Sequence, residues 1–345
     1  MSDVAQILKD LGEQLAKRLL PLPGVPEGFS AFSASQAELA KYIYPARPSP
    51  DNEMAFRVWQ ELMHGVLPPP GWEDQVLPLK PGPVPYTPNF NQAGFRGRLE
   101  TSRNWSGVVT HACCGDQFKT VFGMWQVPAV RAPAGATHGV WACSTWIGMD
   151  GYAPTSFNMP QIGTSQSVVV NGGIATTHYE AWYQWWTRGT PTAPVIFQNL
   201  AVQPGDLIAC SVQFISPQEV WLMIRNVTSG QPPIRQRLSA PALSNAAAGL
   251  ELGRARGTTA EWIAERPMEI GSTFLYPLPE FEQVVFISGQ VTTQAATTRG
   301  LGPVRLLRMV KPQHHRVRVL SRPRLGGAPS NTVTVGPAIE RHMGG

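Results

Sequence analysis

The sequence predicts an all-β fold, an antiparallel sandwich or barrel, preceded by a partly helical N-terminal extension. Three observations carry this. From about residue 100, short runs rich in β-branched and aromatic residues alternate with Gly, Pro and Asn turns. Charged residues make up only 15% of the chain, below the roughly 25% of an average domain, which leaves little for long solvated helices. The 33 Gly, 33 Pro and 11 Trp suit many turns joining strands with aromatic faces.

Taken in order, residues 2–20 read as an amphipathic helix. Ser2 can cap it, Val4, Ile7, Leu8, Leu11, Leu15 and Leu19 recur at helical spacing, and Pro21 and Pro23 end it. A second helix fits 36–44. A third fits 51–64, with Ser49 as N-cap, Pro50 at its first position and Gly65 beyond its end. The stretch LPPPGWEDQVLPLKPGPVPYTPNF then excludes helix and central strand alike, giving an extended linker. The predicted organisation is a helical extension or prosegment over 1–70, a Pro-rich linker over 71–99, a sandwich over 100–335 and a tail over 336–345. Strands are expected over 104–110, 119–127, 140–149, 166–170, 177–186, 195–203, 207–216, 219–227, 260–264, 283–291 and 315–320. Two residues separate 207–216 from 219–227, which suggests a hairpin. There is no internal repeat.

Charge is unevenly spread. Residues 1–95 hold seven Lys/Arg and ten Asp/Glu, a net of −3; the remaining 21 and 13 give +8. The arginines are scattered, several of them after position 300, and read as a solvated surface rather than a nucleic-acid footprint. No stretch approaches about 18 consecutive apolar residues, so no membrane partner is expected. The N-terminus, with Asp3, Asp10 and Glu13, does not have the pattern of a secretory signal, leaving the cellular location open with a cytoplasmic default and non-classical export as the other route. Cys113, Cys114, Cys143 and Cys210 show no zinc spacing, which leans to a reducing compartment. The pair His314-His315 reads as surface, so no metal and no cofactor is expected. The sequons at Asn104 and Asn226 read as accidental.

Three segments carry candidate chemistry: TWIGMDG (145–151) with MPQIG (159–163), YEAWYQWW (179–186) and AEWIAE (260–265). Strand alternation puts Trp146 with Asp150 on one face, and Glu180, Trp182, Gln184 and Trp186 together on another. It also puts Glu261, Ile263 and Glu265 together, with Trp262 opposite. A face bearing carboxylates, amides and tryptophans is a poor core, because buried charge is costly. It can be an aromatic-lined cleft for an extended substrate, or an exposed face with structural aromatics.

Together NWSGVV (104–109), WIGMDG (146–151), PQIG, YEAWYQWW, PGDLIACSV (204–212), IRNVTSGQ (224–231) and AEWIAE resemble, in order, the glutamic peptidase family, the eqolisins. The likeness covers roughly 100–290. It implies a lectin- or concanavalin-like β-sandwich of two long curved sheets, and an endopeptidase for polypeptide substrates working at acid pH with a Gln/Glu dyad. The dyad matches Gln161 and Glu265, not Glu261. The family tryptophan matches Trp146, its aspartate Asp150, and the acid after Tyr in the aromatic strand matches Glu180. The second acid of that strand is replaced here by Gln184. The Cys expected near the Asp-Gly turn is absent from DGYAPTSFN. Family members are made with a prosegment, which residues 1–95 could supply by docking on the oppositely charged remainder. The alternative class is a silent sandwich holding peptide or carbohydrate along Trp146, Trp182 and Trp186.

Overall fold

The computed structural model describes residues 6, 9–10, 13–14, 16–64, 86–87, 100–113, 115–153, 156–188, 192–241, 254–295, 298–300, 304–313, 316–326 and 332–337. The helices Gln36–Lys41 and Glu53–Met63 precede the sheet. In chain order the strands begin with β1 Tyr86–Thr87, β2 Glu100–Ser102, β3 Trp105–His111, β4 Phe118–Gln126 and β5 Val130–Arg131. Next come β6 Gly139–Met149, β7 Asn158–Asn171, β8 Ile174–Thr187, β9 Val195–Ile196, β10 Leu207–Ser216 and β11 Glu219–Asn226. The last are β12 Ile234–Ser239, β13 Thr259–Glu265, β14 Met268–Glu269, β15 Glu280–Phe281, β16 Val284–Thr293, β17 Thr298–Arg299, β18 Val304–Gln313, β19 Arg316–Leu325 and β20 Val333–Pro337.

One hydrogen-bonded path runs β12-β11-β10-β4-β16-β20-β19-β18-β3-β13-β6-β7-β8-β9. It folds back on itself, because β10 contacts β6 and β7, and β4 contacts β6 and β13 across the interior. The result is a sandwich. A front layer, β9-β8-β7-β6-β13-β3-β18, faces a back layer, β12-β11-β10-β4-β16, and β19 and β20 join them along one edge.

Alternation decides what fills the interior. Ile147, Ile162, Tyr183, Trp185 and Trp262 of the front layer meet Val121, Trp125, Ile208, Cys210 and Leu222 of the back. Each buried indole here finds an acceptor, as a polar group in a dry core must. Trp262 Nε1 donates to Phe122 O at 2.9 Å, Trp185 Nε1 to Asn158 Oδ1 at 3.0 Å and Trp125 Nε1 to Thr164 Oγ1 at 3.2 Å.

The expected hairpin forms between β10 and β11, with a bulge between Phe214 and Ser216. Several boundaries differ from the sequence reading. The run 166–170 is the end of a strand that starts at Asn158, so MPQIG lies inside β7. Its Gly and Pro obscure the alternation. The run 195–203 holds only the two-residue β9, and its remainder is a turn. β12, β18 and β20 were not expected; basic residues hide the apolar side of β12 and β18, and β20 is only five residues long. The cap of the third helix is Asn52, whose Oδ1 accepts from Ala55 N at 3.4 Å, while Ser49 Oγ accepts from Asp51 N. Of the helix expected over 2–20, residues 2–5, 7–8, 11–12 and 15 lie outside the described residues, as do most of the linker and tail, His314, His315 and Cys114.

The described part of the extension packs on the outer face of the back layer. Leu39, Val58, Trp59 and Leu62 bury against Phe122, Met124, Ala209, Trp221 and Met223. Farther upstream, Leu19 bridges to Leu238 and Leu20 N donates to Arg237 O at 2.9 Å. Apolar contact therefore dominates this docking, and Arg225 with Glu61 at 3.7 Å adds one partly buried ion pair. Trp59 is fully buried, and its Nε1 donates to Pro45 O at 2.9 Å. Trp59→Ala is expected to lower the unfolding free energy by about 3–5 kcal/mol, read by denaturant titration.

Candidate active site

The outer face of the front layer gathers the predicted residues. Register ties them into rows across the strands. Glu261 pairs with Gly148, which pairs with Gln161, which pairs with Gln184. The next row is Ile263, Trp146, Gly163 and Trp182. The third is Glu265, Ser144, Ser165 and Glu180. Gln161 and Glu265 therefore share a face but not a row.

Trp146 spans the interval between them. The indole packs close because two glycines give way beneath it. A Cβ on Gly163 would stand 2.5 Å from Trp146 Cβ and 2.4 Å from Thr145 O, and one on Gly148 would stand 3.1 Å from Trp146 Cζ3. At its other end Trp146 Nε1 donates to Glu265 Oε2 at 2.7 Å. Asn104 Nδ2 donates to Glu265 Oε1 at 3.2 Å. Two N–H donors suit an ionised carboxylate, which only accepts. Trp105 stands edge-on to Trp146 with centroids 5.0 Å apart.

Gln161 is oriented from the other side. Its Nε2 donates to Gln184 Oε1 at 3.2 Å, and Gln184 Nε2 donates to Thr192 Oγ1 at 3.0 Å. A carboxylate at position 184 would accept from Gln161 in the same way, so Gln184 keeps that contact while removing a charge. Gln161 Oε1 has no protein partner.

Asp150 does something else. Its oxygens accept from Arg256 N (2.6 Å), Gly257 N (3.0 Å), Thr258 N (2.9 Å) and Thr258 Oγ1 (2.8 Å), and its backbone is left-handed at φ 65°. It ties the entry of β13 to the exit of β6 and has little left for a substrate. Glu180 is half-buried at the rim, and burial pushes its carboxyl up. Trp182 is fully buried with an unpartnered Nε1, and Trp186 is 9% exposed.

The face is covered. Gln161 and Glu265 are both fully buried. Part of the cover is the segment after β13, where Arg266 binds Tyr276 O and Leu275 O at 2.9 and 3.2 Å, and Tyr276 joins the aromatic cluster. Burial pushes the Tyr276 hydroxyl up to about 12. β1 pairs with β14 in this segment, Tyr86 opposite Glu269.

Sequence reasoning left out Asn104, Thr192 and Glu261 as site residues. Asn104 lies beside the start of β3, which the register sets opposite Glu265, but only pairing reveals that. Its amide is buried and engaged, and Asn226 likewise donates to Ala201 O and Asp206 Oδ2, so neither sequon offers an open acceptor. Cys143 and Cys210 are free thiols, and burial pushes Cys143 up to about 12. Among the described residues no cluster of His, Cys, Asp and Glu could hold a metal, and no helix is long and apolar enough to cross a membrane.

The Peptidase A4 family model matches residues 103–329, which spans every element of this face. The chain belongs to that family. It is an eqolisin-type glutamic endopeptidase. Two structures of scytalido-glutamic peptidase with transition-state analogues are similar to it. Both are 22% identical, with TM-scores of 0.52 and 0.51, covering 68% of this chain and 98% of theirs. SCP-B, described as an eqolisin in complex with the tripeptide Ala-Ile-His, is 21% identical with a TM-score of 0.49 over the same shares. Comparison with curated proteins finds no match. The two scytalido-glutamic peptidase structures share the sandwich fold with this eqolisin.

Two outcomes follow from the geometry. Gly163→Ala should destabilise the protein by about 1–3 kcal/mol or more and displace Trp146, read as a lowered melting temperature with changed tryptophan fluorescence. The second concerns Glu261, which is fully buried and whose carboxyl is pushed well up, chiefly by burial and further by the Asp150 charge, with Thr259 pulling the other way. Thr259 comes close without meeting hydrogen-bond geometry, so both Glu261 oxygens lack a partner. A raised carboxyl stabilises the fold below the unfolded-chain value and loses that contribution as pH rises through the folded value. Above about pH 4.3 the wild type should therefore lose stability relative to Glu261→Gln, by up to about 1.4 kcal/mol per pH unit in chemical unfolding at stepped pH.

Proposed function

We propose that this eqolisin cleaves polypeptides at acid pH with Glu265 as general base and Gln161 as oxyanion donor. The observation that carries the reading is the two-donor cradle of Glu265, from Trp146 and Asn104, on the same face as an oriented Gln161. A carboxylate so held accepts a proton from water as the oxygen attacks the peptide carbonyl carbon. The tetrahedral oxyanion takes a hydrogen bond from the Gln161 N–H not given to Gln184, a contact worth about 3–4 kcal/mol. The proton on Glu265 then passes to the departing amine as the C–N bond breaks.

The acid range suits this face, because buried Glu261 and half-buried Glu180 are neutral there and leave Glu265 as the base. Trp182 and Trp186 line the far side, where an extended peptide can lie along the sheet. Since both members of the dyad are buried, substrate reaches them when the segment carrying Tyr276 moves.

The test is cleavage of denatured casein across about pH 2 to 8. Wild type should cleave in acid, Glu265→Gln should be inactive, and Gln161→Ala should lose about a hundred- to a thousandfold in kcat. Melting temperatures must stay near the wild-type value. A wild type that binds peptide but cleaves nothing, with or without residues 1–95, would favour the silent sandwich instead.

A further inference from the structure

Glu261 has no place in the mechanism above, yet it stands in the same row as Gln161. Its side chain shares the outer face with Ile263 and Glu265, and it is fully buried with neither oxygen hydrogen-bonded. Between it and Gln161 lies only Gly148, which offers no side chain. Two strand spacings separate the outer pair, about 10 Å between their backbones. Gln161 Oε1 is likewise buried and unpartnered. Ser144 Oγ and Trp182 Nε1 are also orphaned on this face. Native interiors rarely leave buried polar atoms unsatisfied, and several of them on one buried face mark a place for a bound polar molecule.

We propose that Glu261 is a positioning residue of this cleft, a carboxylic acid that donates a hydrogen bond to a water held between it and Gln161, and that this water in turn fixes the amide of Gln161. The inference rests on the peptidase reading only for its effect on catalysis. The donor sense follows from the surroundings. Of the groups around Glu261, Asp150 is anionic and already bound to residues 256–258. Val109 and Gly148 are its immediate strand partners and carry no charge. His111 stands opposite Thr259, with Tyr152 against its ring. Arg305 pairs with Val109, one strand farther, and is held by Glu100, which also accepts from Tyr152. Glu265 lies four residues along the same strand, capped by Trp146 and Asn104. Among the described residues no cation therefore faces Glu261, and burial favours its neutral form. The neutral acid gives its O–H to the water, and the water gives a hydrogen to Gln161 Oε1. Gln184 and the water then grip opposite ends of one amide, which keeps its donor end toward the reaction. Ionised Glu261 would place a negative charge one strand from Gly148, opposing the oxyanion.

The test reads the side-chain amide of Gln161 by NMR in the labelled full chain, the pair being identified by its loss in Gln161→Ala. From about pH 4 to 9 it should titrate with a midpoint above the ordinary Glu value of about 4.3. The titration should vanish in Glu261→Gln and persist in Glu265→Gln. Should Glu261→Gln not fold, Glu261→Met takes its place. A Gln161 amide that does not titrate, one that titrates unchanged without Glu261, or one that stops titrating in Glu265→Gln overturns the proposal. In cleavage assays Glu261→Gln should stay within about twofold of wild-type kcat in acid and keep activity to higher pH, while Glu261→Leu should fall about tenfold in kcat at similar KM. Equal kcat in the two variants also counts against it. A wild type that cleaves nothing sinks the peptidase reading, and the NMR titration still decides the role of Glu261.

Discussion

The site depends on one indole lying flat against the sheet. Trp146 approaches the backbone because Gly163 and Gly148 have no side chains to hold it off. Its N–H thereby reaches Glu265 while its far ring edge lies over Gly148, beside Gln161. One rigid group thus sets the spacing between two polar side chains that stand in different rows. Rigid aromatics lose little conformational freedom when ordered, so the spacing is set by packing and not by long flexible chains.

Around that indole the face inverts the usual rule for a sheet. The inner side is apolar, while the outer side buries two carboxyls, two amides and several indoles. The two carboxyls differ in their partners. Glu265 is met by two N–H donors; Glu261 is met by none. Environments that treat two acids of one strand so differently favour the charged form of one and the neutral form of the other. Gln184 belongs to the same economy of charge, since it accepts from Gln161 without adding a third carboxylate to a dry face.

The extension contributes on both sides of the molecule. Its helices cover the outer face of the back layer with an apolar cluster, which would otherwise leave Trp221 and Met223 open to water. Near the site, β1 adds a short strand to the segment that follows Glu265. The chain before residue 100 is therefore coupled to the back layer by packing and to the neighbourhood of the dyad by backbone pairing.

Local sequence determined a good part of this. Period-two alternation in YEAWYQWW and AEWIAE assigns side chains to faces, and a face holds whatever the partner strands turn out to be. The ordered motifs gave the family, and with it the sandwich. Runs whose apolar side is masked by Arg and Lys, such as β18, or broken by Gly and Pro, such as the start of β7, escaped, because their burial comes from neighbours and not from their own pattern. Only tertiary structure decided the rows. Register put Glu261, not Glu265, level with Gln161, brought Asn104 to Glu265 from 161 residues away, and turned Asp150 into the clasp of a turn. Pairing register depends on the sum of many contacts across strands, and no segment carries that sum in its own residues.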